Sequence, residues 1–182
     1  SEGSEQFDAV VVCAAMASRA LLAPLKLRLP LAAVHGYSIT APLRDTTEHG
    51  EVGPRSTLID ERYKVALTRL GKRVRVAGGA ELGGTLDGSN NAALATLYKV
   101  LDDWFPGCAV QAQVQTWKGA RPMLPDGPPV IGASGVPGVW LNLGHGSSGW
   151  ALACGSARVL ADMMSERPPA IDLSGLGVDR LR

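Results

Sequence analysis

Apolar residues fall along this chain in short runs of two kinds. Asp8–Ala15 (DAVVVCAA) is almost continuously apolar, which predicts a strand buried on both faces, as in a parallel sheet. Val139–Leu143 (VWLNL) predicts a second short buried strand. Between them the pattern alternates. Tyr63, Val65 and Leu67 alternate with Lys64, Ala66 and Thr68, and Val74 and Val76 with Arg73 and Arg75. Gly71-Lys72 joins the two runs and predicts a two-residue hairpin turn with glycine first. Asn90–Phe105 carries Leu94, Leu97, Leu101 and Trp104 on one stripe, which predicts an amphipathic helix capped by Ser89 or Asn90 and stopped by Pro106-Gly107.

Other segments read less sharply. Met16–Leu22 predicts one or two helical turns ending at Pro24. Leu25–Thr40 is rich in Leu, Val and Ile and predicts one or two strands broken near Pro30 and Gly36. Thr46–Arg55 reads as a surface loop, and Gly78-Gly79 and Gly83-Gly84 as further loops. Val110–Thr116 predicts a half-exposed strand, and Pro122–Pro129 a turn-rich loop. A helix from about Trp150 to Met164, apolar on most sides, ends before Pro168-Pro169. The residues from Ile171 onward read as a loosely packed tail.

Composition narrows the class. At 182 residues and 46% apolar, the chain can bury a sizeable core, and 22 glycines with 12 prolines suit a sheet with many turns better than a helical bundle. The net charge of +1, with no basic run, points away from nucleic acid. No apolar stretch is long enough to span a bilayer, and the polar start with two glutamates in Ser1–Phe7 does not read as a secretory signal. Cys13, Cys108 and Cys154 are scattered, which argues against a disulfide framework and against a zinc site. Cys13 and Cys154 stand in apolar runs, where cysteine behaves as a small core residue in a reducing compartment.

Two places carry candidate chemistry. Gly144-His145-Gly146-Ser147-Ser148-Gly149 follows a buried strand and opens an apolar helix at Trp150. Free N–H groups and the helix dipole favour a polar or anionic ligand there, and glycines allow its close approach. A tight turn that needs glycine for its dihedrals explains the same residues. The spacing matches a GxGxxG fingerprint, but it comes late, with no following strand-helix unit and no ribose-binding acid, so it does not read as a dinucleotide site in its proper setting. His145 has no acidic partner nearby in sequence, and His35 and His49 suggest no chemistry. Arg121 ends a predicted strand. Its guanidinium suits either a two-point grip on a carboxylate or a structural salt bridge. Asp126-Gly127 after Pro125 is a good turn.

Five motifs occur in order: Tyr63-Lys64-Val65-Ala66, Gly119-Ala120-Arg121-Pro122-Met123-Leu124-Pro125-Asp126-Gly127, Pro129-Val130-Ile131-Gly132, Leu141-Asn142-Leu143-Gly144-His145-Gly146 and Ala153-Cys154-Gly155-Ser156. Together they resemble the C-terminal stretch of bacterial FAD-dependent D-amino acid dehydrogenases and, more broadly, the family of D-amino acid oxidase, glycine oxidase and sarcosine oxidase. The resemblance runs from about Phe7 to Ile171. Members of this family begin with a strand, a GxGxxG turn and a helix, and no such unit opens this sequence, which therefore reads as a fragment. Asp8–Ala15 resembles a later strand near the adenosine half of FAD, with Ala15 where the family usually has glycine.

The resemblance implies an α/β chain of α+β type. Residues 1–24 and 138–167 would be the remnant of a doubly wound FAD-binding domain. Residues 25–137 would form a largely antiparallel substrate-binding domain with the Asn90–Phe105 helix on one face, and 168–182 a tail. Arg121 matches the arginine that binds the substrate carboxylate, and Tyr63 a position that lends a tyrosine to the pocket. Gly144, His145, Gly146, Ser147, Ser148, Gly149 and Trp150 match the loop beside the flavin ring. The implied reaction is oxidative deamination of a D-amino acid to a 2-oxo acid by hydride transfer to FAD. It needs positioning more than an acid-base residue, so no catalytic residue is assigned. The implied acceptor is respiratory and the location cytoplasmic, with contact at the inner membrane left open. Two alternatives stand: a glycine, sarcosine or hydroxyproline oxidoreductase, or a non-catalytic scaffold. The isolated chain is expected to bind FAD weakly or not at all and to be inactive.

Overall fold

A computed structural model describes residues 3–44 and 52–181. The elements are β1 (Val10–Val12), α1 (Ser18–Leu22), β2 (Ala32–Pro42), β3 (Leu58–Asp60), β4 (Val65–Leu70), β5 (Arg73–Leu82), α2 (Asn91–Trp104), β6 (Gln115–Met123), β7 (Val130–Ala133), β8 (Val139–Leu143) and α3 (Gly149–Met164). They form one sheet in the order β1-β8-β7 and another in the order β3-β4-β5-β2-β6. This is the mixed α/β architecture expected. The chain divides into two compact units, residues 1–34 with 121–182, and residues 35–120. Residues 25–34 and 121–137 thus pack with the first unit. The reason is burial: Leu29, Leu31, Leu124 and Val130 share one core with Leu141 and Leu143.

In the first unit β1 lies parallel to β8, with Val10 opposite Val139 and Val12 opposite Leu141. β7 runs antiparallel along the other side of β8. The two apolar runs at the ends of the sequence thus share a sheet. The burial expected of the first is not found: only Val12 is inside, and Val10 is 51% exposed. β1 is an edge strand, and among the described residues no strand pairs with its other edge. Cys13 and Cys154 are exposed for a like reason, one just past β1 and one on the outward side of α3, so neither is the core residue expected. α3 packs Val159 and Leu160 against Ile131, while its first two turns face outward. The expected loose tail is instead built in. Val178 is buried with Leu124 and Leu143, Leu173 and Leu176 pack on the α3 cluster, and Ile131 N–H donates to the Leu176 carbonyl.

In the second unit β4 and β5 form the expected hairpin, with Leu70 opposite Arg73 and Gly71 at φ +60°. β3 adds antiparallel to β4. α2 is capped by Asn90, whose Oδ1 accepts from Ala93 N–H at 3.0 Å. It buries Leu97, Val100 and Leu101 with Tyr37, Ile39, Val65, Leu67, Val74 and Val76. Trp104, expected in that stripe, is half-exposed and donates from Nε1 to Asp60. Cys108 lies in the same core, where burial pushes its thiol up. Glu81 accepts from Tyr37 Oη, Asn90 Nδ2 and Lys118 Nζ, which holds its carboxyl down to about 2.

Three sequence readings are corrected here. β2 is one strand straight through Gly36. β5 runs through Gly78-Gly79, where a Cβ on Gly78 would stand 2.8 Å from Val65 Cγ2, so this glycine serves close strand approach and not a loop. Gln111–Gln113 is a 3₁₀ turn, and the strand expected there begins at Gln115. The expected surface loop at Thr46–Arg55, with His49, lies mostly outside the described residues.

Candidate functional site

The site is built where β8 ends. Gly144 has φ +79°, and a Cβ placed on it would stand 2.5 Å from Leu124 Cδ1 and 3.6 Å from Leu31. Both conformation and space therefore demand glycine. His145 follows and pairs with Met123, the last residue of β6, in an isolated antiparallel bridge. Gly146, at φ +56°, accepts the Met123 side chain at the contact distance of a would-be Cβ, 3.4 Å. Gly146–Ser148 form a 3₁₀ turn closed by Ser148 N–H donating to the His145 carbonyl, and α3 begins at Gly149.

No side chain caps α3, although Ser148 stands at the capping position. Its first-turn N–H groups are left to an acceptor from outside the helix. Ser147, Ser148 and Trp150 are exposed, Trp150 almost completely. In the same stretch of chain, Asn142 Oδ1 and His145 Nε2 are buried atoms with no hydrogen-bond partner among the described residues. Burial pushes the His145 imidazole below its usual range, which favours the neutral ring. The stretch thus combines backbone donors at the start of α3, a run of glycines, and one acceptor and one ring nitrogen buried without partners among the described residues.

The Met123–His145 bridge brings Arg121 into this neighbourhood. Arg121 lies on β6 two residues before Met123 and is half-buried. The sequence-predicted arginine and the sequence-predicted loop Gly144–Trp150 thus meet in one unit. Tyr63 belongs to the other unit. Its N–H donates to Asp60 Oδ1, and its ring packs on the core there, with Arg62 and Lys99 at 5.2 and 5.4 Å from the ring centroid. Asn142, Met123 and Leu124 also belong to this neighbourhood, and the sequence reading gave none of them a role. Only Asn142 left a signal, as a polar residue inside an apolar strand.

Among the described residues no cluster of His, Cys, Asp and Glu is arranged to hold a metal ion, and no helix is long and apolar enough to cross a membrane.

At the level of sequence, the chain is 48% identical over 180 residues to a D-amino acid dehydrogenase of Bradyrhizobium diazoefficiens, covering 99% of this chain and 42% of that protein. It is 47% identical to a D-amino acid dehydrogenase of Cereibacter sphaeroides, covering 99% of this chain and 40% of that protein. The chain thus spans about two-fifths of the length of the curated relatives it matches. At the level of structure it is similar to glycine oxidase from Geobacillus kaustophilus, with a TM-score of 0.76 at 21% identity over 93% of this chain and 45% of that one. It is also similar to iminodiacetate oxidase from Chelativorans sp. BNC1, with a TM-score of 0.79 at 20% identity over 95% of this chain and 46% of that one. At such identities the likeness is one of fold. The sequence profile of the FAD dependent oxidoreductases matches residues 1–163. The chain belongs to that family, the DAO family of FAD-dependent oxidoreductases.

Proposed function

We propose that the protein carrying this chain deaminates D-amino acids oxidatively to 2-oxo acids, with FAD as its cofactor. The observation that carries the reading is the Met123–His145 bridge, which joins the strand of Arg121 to the glycine loop. The similarity to D-amino acid dehydrogenases across 99% of the chain supports it.

The loop fits the polar edge of a flavin. The orphaned Asn142 Oδ1 and His145 Nε2 are buried, costly and in need of partners. The glycines at 144, 146 and 149 keep the surface low, and the uncapped start of α3 offers N–H donors. Gly144, His145, Gly146, Ser147, Ser148, Gly149 and Trp150 would hold this edge. FAD, when bound, supplies the hydride acceptor. The positive end of α3 would favour negative charge gathered there, an electrostatic contribution like that of an oxyanion site.

Arg121 would grip the substrate carboxylate through two parallel hydrogen bonds and fix the Cα–H direction. The substrate loses that hydrogen with its electron pair, its amine becomes an imine, and water converts the imine to a 2-oxo acid and ammonia. Tyr63 enters the proposal on the family resemblance alone, as a pocket residue. On the same ground the proposal extends to a respiratory electron acceptor and a cytoplasmic protein peripheral to the inner membrane. Residues 1–34 with 121–182 would then belong to the FAD-binding part, and 35–120 to the substrate-binding part.

Substrate profiling of the full-length protein tests the reading. D-alanine and other D-amino acids should reduce the bound flavin, and glycine, sarcosine and hydroxyproline should do so much more slowly. The reverse order would move the protein to another branch of the family.

A further inference from the structure

We propose that Arg180 is a positioning residue for this site, acting through the turn Leu124–Pro128. The proposal rests on the reading of Gly144–Trp150 as the flavin seat. Arg180 lies in a 3₁₀ turn, Val178–Leu181, near the end of the described chain. Its side chain is only 15% exposed, and each guanidinium nitrogen has an acceptor. Nε donates to Asp126 Oδ2 at 2.6 Å, Nη1 to the Gly177 carbonyl at 2.9 Å and Nη2 to the Pro128 carbonyl at 2.5 Å. An exposed arginine with one acidic partner does little. This one, at the surface but with all three nitrogens engaged, ties two segments more than fifty residues apart in sequence.

The gripped segment leads directly to the site. Gly127 N–H donates to the Leu124 carbonyl and closes the turn. Leu124 is 3% exposed, and it is the side chain that fills the space over Gly144. The residue before it, Met123, holds His145 by the bridge and lies against Gly146. A shift of the turn therefore reaches the loop through two packed contacts and one backbone pairing. Fixing the tail alone does not explain Arg180. Val178, Leu173 and Leu176 already bury the tail, and what the Arg180 side chain adds is its reach to Asp126 and Pro128. Asp126 thus does more than make a turn: the arginine beside it holds its carboxyl below the usual range.

Backbone ¹⁵N relaxation on the cofactor-free chain tests this. In Arg180→Ala, order parameters over Gly144–Ser148 should fall from about 0.85 to below about 0.6, while α2 amides keep theirs. Arg180→Lys keeps a cation for Asp126 but cannot reach both carbonyls, so it should restore the loop partly. Asp126→Asn should give an intermediate loss, and these two variants decide the matter if Arg180→Ala does not fold. An unchanged loop beside a loosened Leu124–Pro128 turn would overturn the proposal, as would an equal loss over α2 in every folded variant. No flavin is in the sample. A failure here therefore stands apart from a failure of the flavin reading, which FAD titration of the full-length protein reports.

Discussion

Met123 and His145 pair across an isolated antiparallel bridge, and this pairing is what sets the arginine-bearing strand against the glycine loop. Beside it, Leu124 fills the space that a side chain on Gly144 would need. The site is held by close packing around glycines, so small additions of volume there should be felt.

Gly144→Ala adds a Cβ 2.5 Å from Leu124 Cδ1 at a φ of +79°. The strained backbone and the clash together should cost about 1–3 kcal/mol of stability. Urea unfolding of the variant measures this. A change within the error of the wild type would show that the loop relaxes freely.

Ala15 has φ +48°, a left-handed conformation that glycine adopts without penalty. Ala15→Gly should therefore stabilise the chain by about 0.5–1 kcal/mol, the relief of the Cβ outweighing the added freedom of the unfolded chain. A destabilised variant, read by thermal melting, would contradict this.

His145 gives a pH signature. Burial lowers its folded-state pKa below the unfolded value of 6.5. The unfolded chain therefore binds the proton more readily, and stability is lost as pH falls below about 6.5 toward the folded value. His145→Gln should flatten that part of the profile. Urea midpoints between pH 7 and 5 compare the two, and equal slopes would remove His145 from the account.

By itself this chain should bind FAD weakly or not at all and show no turnover. The charged part of FAD is its pyrophosphate, whose usual seat is a strand–GxGxxG–helix unit. The loop Gly144–Gly149 contacts only a ring edge in the proposed arrangement. Calorimetry with purified chain should give no tight stoichiometric binding, whereas such binding would require a pyrophosphate seat elsewhere in these residues.

Much of the local structure was legible in the sequence, and the reasons differ by element. The β4–β5 hairpin was plain because Tyr63–Leu67 and Arg73–Val76 alternate about a Gly-Lys turn. α2 was plain because Leu97 and Leu101 recur at helical spacing above an Asn cap. Gly36 and Gly78 misled, since a glycine that permits close strand approach looks the same in sequence as one that ends a strand. The packed tail was hidden because its apolar residues, Leu173, Leu176 and Val178, are thinly set among Gly, Ser and Asp. The Met123–His145 bridge leaves no local trace at all. Pairing between distant segments is written in neither segment alone, so the sequence singles out Arg121 and the loop without showing that a bridge joins their neighbourhoods.

The most direct test of the account is whether Arg121 reads the substrate carboxylate. In the full-length protein, KM for D-alanine should rise about 10- to 150-fold in Arg121→Ala, since a hydrogen bond to a charged group contributes about 1.5–3 kcal/mol. D-alaninamide, which lacks the carboxylate, should be a poor substrate of the wild type and lose little further in the variant. An unchanged KM for D-alanine, or an equal loss for both compounds, would contradict the assignment of Arg121 to the carboxylate.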